Sequence, residues 1–146
     1  LPNRRRFLRE LERVVSNVTR HGTPGAVLYL DLDSLKAIND EHGHFAGDAA
    51  LIHVARMLAG LVRTSDIAAR IGGDEFALIL DHLDHNSAID AAERLQRCLD
   101  GQPLDLGQAR IVPKTLAATA AILAGDTRDE ILRRAEGNAS AARQSR

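Results

Sequence analysis

The chain has 146 residues, 45% of them hydrophobic and 27% charged, and a formal net charge of −1 at pH 7. That length suits one domain with a proper core, and the near-neutral balance excludes nucleic-acid recognition by a broad basic surface. Aromatic residues make up 3% and Trp is missing, which also excludes single-strand binding on stacked rings and leaves an aliphatic core.

Asn3 is predicted to cap a helix running to about His21, with Phe7, Leu8, Leu11, Val14, Val15 and Val18 on one stripe. Gly22 to Gly25 breaks it, and residues 26–32 form a near-continuous apolar strand that ends in Asp31 and Asp33. A short helix is expected over residues 34–41, closed by His42-Gly43-His44, and Gly47-Asp48 starts the next. That helix carries Leu51, Ile52, Val54, Ala55, Leu58 and Val62. Two apolar runs, residues 67–71 and 76–80, flank Gly72-Gly73 and read as a tight hairpin in which glycine supplies positive φ.

Asn86-Ser87 begins a third long helix bearing Ile89, Ala92, Leu95, Cys98 and Leu99. Cys98, the lone cysteine, is expected as a small core residue and fits a reducing compartment. Residues 100–109 read as a loop and 116–123 as a buried strand weakened by alanines. Thr127-Arg-Asp-Glu130 is a capping box opening the last helix. No apolar run reaches membrane-span length and no signal-peptide pattern opens the chain, so direct membrane insertion by this segment is not expected. Its abrupt start inside a helix cap suggests one domain, residues 1–146, cut from a longer protein.

The resulting order is α, then β-α-β-β-α-β, then α. It predicts an α+β fold: an antiparallel-containing central sheet with a βαββαβ, ferredoxin-like core and helices packed on one face. Chemistry concentrates at two strand ends. Asp74 and Glu75 are adjacent carboxylates at the hairpin tip, poor strand formers that repel each other. Asp31 closes a buried strand, where a carboxylate is costly unless paired or bound to metal. Side-by-side strands would bring these acids together, and an all-oxygen site suits Mg²⁺ bound with substrate phosphates.

Other polar clusters have plainer readings. Asp81-His-Leu-Asp-His85 resembles a metal cluster but lacks a further ligand, so a polar loop is expected. His53 is expected exposed, and Arg133, Arg134 and the Arg4-Arg5-Arg6 run are expected solvated or, for the last, in contact with a preceding domain. Asp33 is as plausible an N-cap as a third metal ligand.

Several motifs together resemble the GGDEF family of diguanylate cyclases over most of the chain. They are Leu1-Pro2-Asn3-Arg4-Arg5; Asp31-Leu-Asp33-Ser-Leu-Lys36-Ala-Ile-Asn39-Asp40; Gly43-His44; Gly47-Asp48; and the signature Gly72-Gly73-Asp74-Glu75-Phe76. The resemblance implies a nucleotide-cyclase palm and the joining of two GTP into cyclic di-GMP, a bacterial second messenger, with pyrophosphate released twice. It implies that Asp31, Asp74 and the carbonyl of Leu32 hold Mg²⁺ or Mn²⁺. Glu75 is either a further ligand or the group that helps deprotonate the 3′-hydroxyl. Asn39 and Asp48 would recognise guanine. Lys36 and the N–H groups of Ser34 and Leu35 would hold the β and γ phosphates, with His44, Gly72 and Gly73 also at the substrate. Arg63-Thr-Ser-Asp66 resembles the family's RxxD inhibitory product site, although a bare surface ion pair has the same sequence.

The last helix departs from the family pattern. Ala139 and Ser140 stand where Leu and Tyr are usual, Arg143 replaces a phosphate-binding lysine, and the next phosphate-binding arginine falls at or beyond Arg146. Gly137 and Asn138 lower helix propensity. The preceding strand, Thr119 to Leu123, departs too, so the core is expected to be less well filled there. The leading expectation is a two-metal-assisted cyclase, cytoplasmic or the cytoplasmic domain of a membrane-tethered protein, active as a homodimer of domains and attached to sensory or phosphodiesterase domains. The alternative is a weak or inactive module that binds GTP or cyclic di-GMP to regulate such a domain. A purely structural dimerisation domain is the least favoured.

Overall fold

The computed structural model describes residues 3–63, 66–107 and 109–145. Leu1 and Pro2 of the opening motif, Thr64 and Ser65 of the Arg63–Asp66 stretch, and Arg146 lie outside the described residues, as does Gln108. The elements in chain order are α1 (Arg4–His21), β1 (Gly25–Leu32), α2 (Leu35–His42), α3 (His44–Leu61), β2 (Ile67–Arg70), β3 (Glu75–Asp81), α4 (His85–Asp100), β4 (Leu104–Asp105), β5 (Arg110–Ile111), β6 (Thr115–Ala121) and α5 (Arg128–Gln144).

Four strands form one sheet in the order β2-β3-β1-β6, each neighbouring pair antiparallel. The expected α+β architecture is therefore present, but helices cover both faces of the sheet and not one. Alternation along β1 decides which side chain meets which layer. Ala26, Leu28, Leu30 and Leu32 point into a core shared with α2, α3 and α4. Val27 and Tyr29 point into a second core with α1 and α5. A strand with both faces covered has no solvent side, which is why β1 is buried at every position and reads as an unbroken apolar run.

Local chemistry sets the helix ends. Asn3 caps α1 by accepting from the Arg6 N–H, and Gly22 closes it in the left-handed region at φ 67°. Thr127 caps α5 through the Glu130 N–H. α3 begins at His44, three residues ahead of Gly47, because Gly43 at φ 90° is already the break between helices. α4 begins at His85, capped by Asp84, whose side chain accepts from the Ser87 N–H. That cap accounts for one acid of the Asp81–His85 cluster.

Other expectations need correction. Residues 100–109 are not plain loop: β4 and most of its connection to β5 fall there, in a small hairpin. Cys98 is exposed on α4 and not in the core, and Ile52 is half exposed. Arg134 is not solvated; it donates two hydrogen bonds to Asp126 and one to the Ala121 carbonyl. Arg4 donates to the Ile71 carbonyl, and His53 lies 3.2 Å from the Gln102 carbonyl, so neither is free in solvent. At the altered end of the chain, Ala135 and Ala139 of α5 are buried against β6, and Asn138 donates to the Thr119 carbonyl at 2.8 Å. The amide that lowers helix propensity ties the helix to the sheet.

Candidate active site

Strand register builds the site. In the β1–β3 ladder Asp31 stands opposite Glu75, and the Leu32 N–H donates to the Asp74 carbonyl at 3.0 Å. The two acidic ends expected from sequence therefore meet at one edge of the sheet. Asp31 is only 9% exposed. Burial pushes its carboxyl up to about 6, the like charge of Asp74 adds to the rise, and Arg143 opposes it.

Arg143 reaches this edge from the last turn of α5. Its Nη2 donates to Asp31 Oδ2, and its Nε donates to Asp33 Oδ1 at 3.1 Å. Asp33 is thus not the cap of α2. Ser34 holds that position without a side-chain bond, and its Oγ accepts from the Lys114 N–H at 3.0 Å. The Asp33 N–H donates to the Lys114 carbonyl at 2.9 Å. These two bonds fix the turn that presents Ser34, Leu35 and the exposed Lys36 at the start of α2.

Two buried side-chain oxygens among the described residues lack a hydrogen-bond donor: Asp31 Oδ1 and Asn39 Oδ1. Such groups are rare in folded chains and ask for an explanation. Asn39 projects from α2 against Gly47 of α3, where an added Cβ would lie 1.8 Å from Oδ1. The glycine is there to let the amide approach. Asp48 follows it, exposed on α3.

Gly72 works in a similar way. Neither Gly72 nor Gly73 has positive φ, contrary to the expected hairpin geometry. A Cβ at Gly72 would instead sit 2.8 Å from Glu75 Oε2, so the glycine makes room for that carboxylate. The Arg70 side chain holds the turn by donating to the Gly72 and Gly73 carbonyls.

The family description "Diguanylate cyclase, GGDEF domain" matches residues 1–146. The chain belongs to the GGDEF family of diguanylate cyclases. It is 34% identical over 139 residues to the response regulator PleD of Caulobacter vibrioides, covering 93% of this chain and 31% of that protein. It is 38% identical over 111 residues to the bifunctional diguanylate cyclase/cyclic di-GMP phosphodiesterase MucR of Pseudomonas aeruginosa, covering 76% of this chain and 16% of MucR. The GGDEF domain thus spans less than a third of these two curated relatives. Among solved structures, the GGDEF domain of TpbB from Pseudomonas aeruginosa superposes with a TM-score of 0.92 at 33% identity, covering all of this chain and 92% of the other.

Within this GGDEF domain the expected residues fall into two groups. Asp31, Leu32, Asp74, Glu75 and Arg143 come together at one edge of the sheet. Asn39 and Asp48 stand on the neighbouring helices, and His44 is the exposed first residue of α3. Arg63 and Asp66 do not join them. Their ion pair is bidentate, Nη2 to Oδ1 at 2.8 Å and Nε to Oδ2 at 3.0 Å, and Arg63 Nη2 also donates to the Asp81 carbonyl. Asp81 pairs with Gly25, at the far end of the β1–β3 ladder from Asp31 and Glu75. Six strand residues separate the two ends, about 20 Å. A cleft of about 860 Å³ opens beside Arg63, lined also by Leu83, Arg94, Arg97 and Cys98.

The donor set fits a hard divalent cation: two converging acids, one with a buried oxygen that takes no donor, beside a backbone strand end. No group of three His, Cys, Asp or Glu side chains among the described residues is arranged around a common point. Sequence reading missed Tyr29, whose hydroxyl reaches the Glu75 carboxylate; burial first, then Glu75, raises its pKa far above the ordinary phenol. The signal was present, since a polar hydroxyl two residues before Asp31 must share its strand face.

Two outcomes test this geometry. Asp31 is protonated more readily folded than unfolded, so its contribution to stability is full below its unfolded value of 3.8 and is lost as pH rises through about 6. In metal-free buffer Asp31→Asn is expected to gain about 1–3 kcal/mol on the parent between pH 4 and 7.5 by denaturant unfolding; a gain of the parent on Asn contradicts the site. Gly47→Ala is expected to cost about 1–3 kcal/mol by forcing Asn39 aside. Gly60→Ala in the same helix, with nothing within 4 Å of the new Cβ, is the control and loses none.

Proposed function

We propose that this domain condenses two GTP into cyclic di-GMP, releasing pyrophosphate. The observation that carries the reading is the placement of the two donor-less buried oxygens. One is on the acid that would ligate the cation, the other on the amide that would read guanine.

Asp31, Asp74 and the Leu32 carbonyl would hold Mg²⁺ or Mn²⁺. When bound, such ions stabilise the charge on the attacking and leaving oxygens of an in-line displacement at phosphorus. The chain itself supplies position and charge. Asn39 and Asp48 offer an amide and a carboxylate to the mixed acceptor and donor edge of guanine. The Ser34 and Leu35 N–H groups, at the positive end of α2, and Lys36 hold the β and γ phosphates, with Arg143 as a further cation. Glu75, given room by Gly72, would accept the 3′-hydroxyl proton or join the metal ligands, and His44 and Gly73 would border the substrate.

One GTP per domain means that two domains face each other across the reacting phosphates, so the active form is a homodimer. It serves as the output module of a longer signalling protein, as the span of its relatives suggests. Cyclic di-GMP, the molecule bound in a solved DgcB GGDEF domain that superposes with a TM-score of 0.92, would return to the Arg63–Asp66 cleft as inhibitor, its guanines clasped by the guanidinium fork and the carboxylate. A second reading, a GTP or cyclic di-GMP sensor without turnover, is favoured by the engagement of Arg143 with Asp31 and Asp33.

Domains joined through a dimeric coiled coil and given GTP with Mg²⁺ are expected to make cyclic di-GMP, and Asp74→Ala to lose at least about a hundredfold in rate. Tight GTP binding with no product at any protein concentration would favour the sensor. Arg63→Ala is expected to abolish product inhibition while leaving the initial rate within about twofold, because its site lies at the opposite end of the β1–β3 ladder. Unchanged inhibition removes the Arg63–Asp66 assignment.

A further inference from the structure

We infer that Arg143 is a resident counter-cation of the acidic site: it competes with the divalent ion for Asp31 and passes to the triphosphate when metal and nucleotide arrive. The inference rests on the cyclase reading of the site but concerns a step that reading does not contain.

The guanidinium binds two acids at once. Nη2 takes Asp31 Oδ2 and Nε takes Asp33 Oδ1, while Asp31 Oδ1 keeps no donor. Without that cation the buried Asp31 carboxylate would face Asp74 with no neutralising partner, a costly arrangement. A lysine, as in the common family pattern, is a single point charge and cannot fork between two acids in this way. The substitution to arginine therefore gives this chain a device that lysine could supply only in part.

The same contact cannot survive metal binding unchanged. A dication at Asp31 and a guanidinium on the same carboxylate repel, and both would draw on one negative charge. Arg143 sits in the last turn of α5 with its side chain 43% exposed, so it has room to turn outward. A triphosphate held at the start of α2 offers it a new bidentate partner, the group for which arginine geometry is best suited. Metal alone, at the open Asp31 Oδ1, then weakens the Arg143 contact on Oδ2 without compensation, whereas metal with nucleotide provides the arginine with a destination. The site favours loading by the metal–nucleotide complex over loading by the free ion.

Mn²⁺ binding, read by electron paramagnetic resonance of the free ion, tests this with and without a non-reactive GTP analogue. Arg143→Ala is expected to bind Mn²⁺ alone about three- to tenfold more tightly than the parent, and the analogue in Mn²⁺ more weakly by a similar factor. Arg143→Lys should fall between the two in both measurements. Equal or weaker Mn²⁺ binding by Arg143→Ala, in a protein that still makes cyclic di-GMP, overturns the inference and leaves the cyclase reading standing. If Asp31→Asn leaves Mn²⁺ binding unchanged and no product forms, the reading itself fails and the inference fails with it.

Discussion

A carboxylate at the buried end of the central strand is the constraint around which the rest is arranged. Asp31 lies almost out of solvent, beside a second acid, and its carboxyl is pushed up to about 6. A fold carries such a group when its surroundings compensate the charge. Arg143 from α5 supplies that compensation, while the β2–β3 turn brings the like charge of Asp74. Lys114, just ahead of β6, anchors the turn that holds Asp33. Together they form the strand end at which we propose that phosphate and cation bind.

The sheet also separates the acidic cluster from the Arg63–Asp66 pair. The acids close one end of the β1–β3 ladder, and the Arg63–Asp66 pair hangs on the carbonyl of Asp81 at the other. In the proposed reading, substrate chemistry and product recognition share a pair of rigid strands without sharing atoms. The cleft of about 860 Å³ lies at the Arg63–Asp66 end and not at the acids. On that same reading a triphosphate is reached between facing domains and a whole dinucleotide is held on one surface.

Much of this was legible in the residues. The apolar run of β1, the capping residues Asn3 and Thr127, and the acids placed at strand ends follow from periodicity and from the cost of burying charge. The motif spacing supplied Asn39, Asp48 and Arg143. What escaped depended on distances between elements. Gly72 looked like a turn residue with positive φ, but its smallness serves Glu75. Gly47 looked like a helix start, but it lies inside α3 to admit Asn39. Tyr29 passed as one more core residue, and Cys98 as another, because helical spacing alone cannot say which flank a neighbouring helix covers. The second layer of helices was hidden for the same reason: the first and last helices were counted, but nothing local fixed the face they take.

The account depends on Asp31 and Asp74 sharing a divalent ion that grips a nucleoside triphosphate. A crystal structure of the domain with Mg²⁺ and an α,β-methylene analogue of GTP tests this most directly. The account predicts an ion about 2.0–2.1 Å from oxygens of both acids, with phosphates at the start of α2 and guanine on Asn39. An ion bound elsewhere, or a nucleotide seated with Asp31 still held by Arg143 and bare of metal, would contradict it.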